Sequence, residues 1–179
     1  MKKLLLLSLT LVVLLTVSCG SDKKNEPAAA ENSTENNDQV ALVLEFKTLV
    51  NDKFKIYYSK EPNVEIGGEH FIDKYIYGDD DMQKTVFKFP KGVFPYKIRL
   101  DVGMNQKVEN ITIKNISVTY KDKVLDGDEG EYKKFWSPNE CLKFNETNFV
   151  YDLVPSNGLK SPVFMANVEF QKKLIALSK

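Results

Sequence analysis

Arg99 and Asp101 lie two residues apart, and Arg99 is the sole arginine among 25 cationic residues. At strand spacing, side chains two residues apart point the same way, about 7 Å apart. A guanidinium there can grip a carboxylate, a phosphate or a sugar hydroxyl through its planar fork, or it can form a structural ion pair with Asp101. Trp136 is the sole tryptophan, in the run Tyr132-Lys133-Lys134-Phe135-Trp136-Ser137-Pro138-Asn139. An indole at a loop edge can stack on a sugar ring while Asn139 and Glu140 hydrogen-bond its hydroxyls. The same indole can instead close the end of a core. Two acidic runs, Asp79-Asp80-Asp81 and Asp126 to Glu131, place several oxygens in turns. Neither matches the EF-hand spacing. Asp126, Asp128 and Glu131 are therefore only weak calcium candidates, and no metal or other cofactor is expected.

Other chemistries have few residues to work with. His70 is the only histidine, so a metal site with two histidine ligands is excluded. The chain has no Gly-x-Ser-x-Gly nucleophile elbow. A carboxylate pair of the glycosidase kind would need a deep cleft, which a small sandwich rarely provides. Cys19 and Cys141 are the only cysteines. If Cys19 is acylated, as argued below, no intramolecular disulfide can form. Cys141, beside Leu142, then reads as an inert buried thiol. The formal charge is +0, from 25 Lys and Arg against 25 Asp and Glu. Without the basic excess that marks a nucleic-acid footprint, such a partner is not expected.

The elements that would carry these residues read as strands. Leu42, Leu44 and Phe46 alternate with Val43, Glu45 and Lys47, and Phe54, Ile56 and Tyr58 alternate with Lys53, Lys55 and Tyr57. Further two-residue periods run through Gln83–Phe89, Tyr96–Val102, Phe149–Leu153 and Phe164–Phe170. Turn-forming clusters separate them, among them Glu61-Pro62-Asn63, Gly67-Gly68, Pro90-Lys91-Gly92 and Ser156-Asn157-Gly158. Short strands at this spacing predict an antiparallel sandwich or barrel. One stretch breaks phase: Ile111 and Ile113 share one parity, Ile116, Val118 and Tyr120 the other. A β-bulge at Lys114-Asn115 restores the pattern. The tail Gln171–Leu177 reads equally as a helix or as a last strand.

The N-terminus has a different character. Lys2-Lys3 precede Leu4–Val17, a run with no charge, Gly or Pro. As a helix it would span about 21 Å, against about 30 Å of bilayer hydrocarbon. A short apolar run behind a positive start reads as a secretory signal. Its ending, Thr16-Val17-Ser18-Cys19-Gly20, resembles the lipobox of bacterial lipoproteins, in which the cysteine is lipidated. Thr16 stands where that motif usually has Leu. The resemblance implies cleavage after residue 18, lipidation of Cys19 and attachment to the outer membrane, since two or more acyl chains anchor stably. Ser21-Asp22 resembles a surface-export signal, which leaves the periplasmic and exposed faces both open. Cleavage would leave 23 cations against 25 acids, a charge of about −2. Residues 19–39 are rich in Asn, Glu and Ser, with no large aliphatic or aromatic side chain until the domain begins. They read as a flexible tether with a root-mean-square reach of about 25 Å.

A second resemblance lies in the middle of the chain. Phe89-Pro90, Arg99-Leu100-Asp101 and Ile111-Thr112-Ile113-Lys114-Asn115-Ile116 resemble successive strands of β-sandwich domains attached to bacterial cell-surface polysaccharide proteins, including membrane glycosyltransferases. Phe54-Lys55-Ile56-Tyr57-Tyr58 resembles the aromatic strand of those domains. Val102 replaces a frequent Pro, Ser161-Pro162 replaces an Asp-Pro, and the domain, which usually accompanies a large enzyme, is expected to stand alone. The resemblance implies a fold and a carbohydrate-rich setting, and fold alone is weak warrant for function.

The resulting expectation is an all-β chain, an antiparallel β-sandwich of jelly-roll, galactose-binding-like type over residues 40–179. It is expected to be a monomeric, membrane-anchored, non-catalytic module, with a cell-surface polysaccharide as ligand. An envelope protein that docks a partner and takes no small ligand is the alternative. A small carbohydrate-active enzyme is the third reading.

Overall fold

The computed structural model describes residues 38–179. The expected signal peptide, the expected lipidation at Cys19 and most of the expected tether lie outside the described residues. Among the described residues, eleven strands and one α-helix follow in chain order: β1 (Ala41–Lys47), β2 (Asp52–Ser59), β3 (Phe71–Ile76), β4 (Gln83–Lys88), β5 (Lys97–Asp101), β6 (Asn110–Tyr120), β7 (Lys123–Leu125), β8 (Trp136–Pro138), β9 (Leu142–Asn145), β10 (Val150–Leu153), β11 (Val163–Ala166) and α1 (Val168–Leu177). A 3₁₀ segment, Asp128–Lys134, joins β7 to β8.

Two antiparallel sheets form a sandwich. One runs β4-β1-β6-β10-β9 with β7 added to β6, and the other runs β3-β2-β5-β11-β8. The alternation seen in the sequence is the cause. Leu42, Leu44 and Phe46 from the first sheet and Phe54, Ile56, Ile98, Leu100 and Phe164 from the second are essentially inaccessible and meet in one core. Phe46 and Phe54 pack across it with ring centroids 5.1 Å apart.

The phase break in β6 is a bulge. Glu45 pairs with Asn115 while the next residue, Phe46, pairs with Ile113, so Lys114 is the extra residue. The bulge lets Ile111, Ile113, Ile116 and Val118 all reach the core. It also turns Asn115 under the 3₁₀ segment, where its Nδ2 donates to Asp126 Oδ1 at 2.8 Å and its Oδ1 accepts from the Gly127 N–H at 3.2 Å.

Just before β1, the Gln39 amide donates to the Phe89 carbonyl, and Lys121 pairs with Asp38. Two expectations are corrected. The strand through Phe164 stops at Ala166, because Asn167 caps α1 by accepting from the Phe170 N–H at 3.0 Å. Val168 is then an exposed helix residue while Phe170 and Leu174 bury. Phe149 is a turn residue with φ of 58° and is 68% exposed, so it belongs to no core face.

Candidate functional site

The outer face of the β3-β2-β5-β11-β8 sheet carries an ordered grid of side chains. Strand pairing sets Phe71, Tyr57, Arg99, Met165 and Ser137 abreast in one row. The next row is Asp73, Lys55, Asp101 and Val163, and the third is Tyr75 beside Lys53. Rows lie about 7 Å apart and strands about 4.8 Å apart. These are the outward members of strands whose alternate residues fill the core, so burial on one side fixes the register on the other.

Arg99 and Asp101 come together on this face. The guanidinium Nε and Nη2 donate to Asp101 Oδ1 and Oδ2 at 2.8 and 2.9 Å, a bidentate pair. Its Cζ lies 4.3 Å from the Tyr57 ring centroid. The Asp101 carboxylate holds the guanidinium more firmly protonated than usual. Here the fork that singled out Arg99 in the sequence serves an intramolecular pair. Lys53 pairs with Asp73 and lies 5.0 Å from the Tyr75 centroid. The Lys55 ammonium lies 5.1 Å from the Phe71 centroid and 5.9 Å from that of Tyr57. Phe71 is 47% exposed and Tyr75 is 75% exposed.

Two clefts open at one end of this face, on either side of Met104. One, of about 280 Å³, is lined by Lys55, Tyr57, Asp101, Met104, Gln106 and Lys160, with Val102 and Pro162 among its apolar groups. The other, of about 370 Å³, is lined by Lys53, Tyr75, Tyr77, Met104 and Asp52. The walls are tied together. Gln106 Nε2 donates to the Lys160 carbonyl and Gln106 Oε1 accepts from the Lys160 N–H, both at 2.9 Å. Lys160 Nζ donates to the carbonyls of Gln106 and Val108. Gly103 makes the loop fit: its φ is +102°, and a Cβ there would stand 2.8 Å from the side chains of Leu153 and Pro162. Below the loop, Asp52 Oδ1 accepts from the N–H groups of Lys53 and Asn105. Asp52 Oδ2 is buried without a partner among the described residues. Burial pushes this carboxyl above its usual pKa, against the backbone N–H bonds that pull it down.

Trp136, Asn139 and Glu140 do not assemble into a site. Trp136 is 1% exposed and packs on Phe170, with centroids 4.9 Å apart. Its pairing with Ala166 directs it inward, and α1 supplies the ring that packs on it. It is core and offers no face to a sugar. Asn139 has its polar atoms committed: Nδ2 donates to the Ser161 carbonyl, and Oδ1 accepts from the N–H groups of Cys141 and Val163. Glu140 is exposed on the same turn, and with Trp136 buried the three form no sugar site. The weak calcium candidates Asp126, Asp128 and Glu131 do line one pocket together, beside Glu129. Asp126 Oδ1 is engaged by Asn115 and by the Asp128 N–H, and Glu131 pairs with Lys134. Among the described residues no cluster of three or more such side chains is arranged to hold a metal ion. Cys141 is free and buried, and His70 stacks on Tyr58.

Sequence reasoning missed Tyr57, Phe71 and Tyr75 as one surface. The signal was present in Lys53-Lys55-Tyr57, the polar half of an alternating strand, but β3 showed no clear period. Compared with family models, curated proteins and solved structures, the chain matches none.

Proposed function

We propose that this chain is a lipid-anchored protein of the bacterial cell envelope, whose jelly-roll-like sandwich binds a polysaccharide on its outer sheet face without cutting it. The observation that carries this reading is that Tyr57, Phe71 and Tyr75 share one sheet face beside two clefts, one of them with its walls tied together. Aromatic bodies interleaved with placed polar groups suit sugar rings, which present an apolar face and a rim of hydroxyls. Tyr75 and Phe71 are four residues apart on one strand, about 13 Å, a span suited to several sugar units. Hydroxyl hydrogen bonds on an open surface replace water at little net gain. Single-site affinity should therefore be about 0.1–10 mM, and dense copies on a membrane would engage a polymer through multivalency.

The test is an array of envelope and capsular polysaccharides probed with the wild-type chain and with Phe71→Ala/Tyr75→Ala. Binding by the wild type that falls severalfold in the double variant is expected. Absence of binding at multivalent density would favour an envelope protein that docks a protein partner instead. Release of reducing ends would show a carbohydrate-active enzyme. The anchor has its own test: labelled palmitate should enter the wild-type chain and not Cys19→Ala, and label on the variant would refute lipidation at Cys19.

A further inference from the structure

We infer that the polysaccharide is acidic and that the Lys55 ammonium receives its carboxylate; this rests on the glycan-binding reading of the face. The cations around the cleft are almost all committed. Lys53 is paired with Asp73, Arg99 with Asp101, Lys97 with Glu65, and Lys160 with two backbone carbonyls. Lys55 lines the cleft and makes no ion pair or side-chain hydrogen bond among the described residues. Its two acidic neighbours across the strands, Asp73 and Asp101, are the ones neutralised by Lys53 and Arg99.

An incoming carboxylate would thus meet a cation without first displacing an internal acid. The cleft carries net positive charge, because Asp101 is offset by Arg99 while Lys55 and Lys160 are not offset by any acid lining it. Lys55 also sits between two rings. A sugar ring on Phe71 or Tyr57 places a carboxylate substituent within reach of the same ammonium that lies about 5–6 Å from both centroids. A neutral hexose gains stacking and hydroxyl contacts. A uronic acid adds a charge-assisted hydrogen bond, roughly twice as strong as a neutral one.

The experiment titrates the full detergent-solubilised chain with polygalacturonate, alginate and hyaluronan, each beside its carboxyl-reduced counterpart. At least one acidic polymer should bind about tenfold tighter than its reduced form, an advantage that shrinks as salt is raised. Lys55→Gln should remove that advantage, weakening the acidic polymer far more than the reduced one. Lys55→Arg should restore it, and Lys91→Gln, on an exposed turn away from the face, should have no effect. Equal binding of acidic and reduced polymers by the wild type would overturn the inference and leave the glycan reading standing. So would a loss in Lys55→Gln that is equal for both forms, or an equal loss in Lys91→Gln. Failure to bind any of the polymers, acidic or reduced, would count against the glycan reading itself. Circular dichroism of each variant confirms that it is folded.

Discussion

The Arg99 guanidinium is held on two sides, by the Asp101 carboxylate and by the face of Tyr57. A lysine at that position could reach one oxygen and would lose the planar stack. The pair is partly solvated, with side chains 32% and 18% exposed. Arg99→Lys should therefore cost about 1 kcal/mol in chemical denaturation, and a change near zero would mean that neither contact stabilises the fold. Trp136 differs in kind. Truncating it to Ala should cost about 3–5 kcal/mol. As the sole tryptophan it also reports on itself: its emission should be blue-shifted, resistant to iodide and indifferent to added polysaccharide. Asp52 should give a pH signature. Burial raises its folded pKa above the unfolded value, so the native state holds the proton more tightly. Its contribution to stability then falls as pH rises through the window above the ordinary carboxylate range. Asp52→Asn should gain relative to wild type between acid and neutral pH, and a pH-independent difference in denaturation midpoints would contradict this. At this scale the sequence was half legible. The need for a fork at Arg99 could be read from a lone arginine among lysines. The burial of Trp136 could not, because Lys133, Lys134 and Ser137 around it are polar and the ring packed against it comes from Phe170.

The elements with one buried face were legible, and those without were not. β2 and β5 alternate cleanly, and in β6 the phase break located the bulge because only one extra residue lets Ile113 and Ile116 both face inward. β3 escaped notice because it is an edge strand in which most residues are partly or fully exposed, so no period stands out. The tail was ambiguous because Phe164, Ala166, Val168 and Phe170 fit a strand as well as a helix. The Asn167 cap decides between them by satisfying a first-turn N–H group. The bulge has an energetic consequence. Asn115 is buried and joins β6 to the 3₁₀ segment through Asp126 and Gly127. Asn115→Ala leaves the buried Gly127 N–H without its acceptor and should cost about 1–3 kcal/mol. Equilibrium denaturation measures it, and a loss well below 1 kcal/mol would mean that water replaces the amide.

For the whole molecule, two sheets share one core, and their inner faces determine what their outer faces present. A chain trimmed to residues 38–179 retains Gln39 and Asp38, which tie the start of the domain to Phe89 and Lys121. It should fold alone, with a β-dominated far-ultraviolet spectrum and a single cooperative thermal transition. Two separated transitions would contradict a single core. Ligand binding on the outer sheet face is a property of one surface, so the most direct measurement is residue-resolved. Amide chemical shifts of the ¹⁵N-labelled chain, followed during titration with a polysaccharide that it binds, show which face the ligand touches. Shifts are expected at Lys55, Tyr57, Phe71, Tyr75 and Met104, with Trp136 and the Asp126–Glu131 turn unmoved. Shifts confined to that acidic turn, or to the β4-β1-β6-β10-β9 sheet, would contradict binding on the outer face.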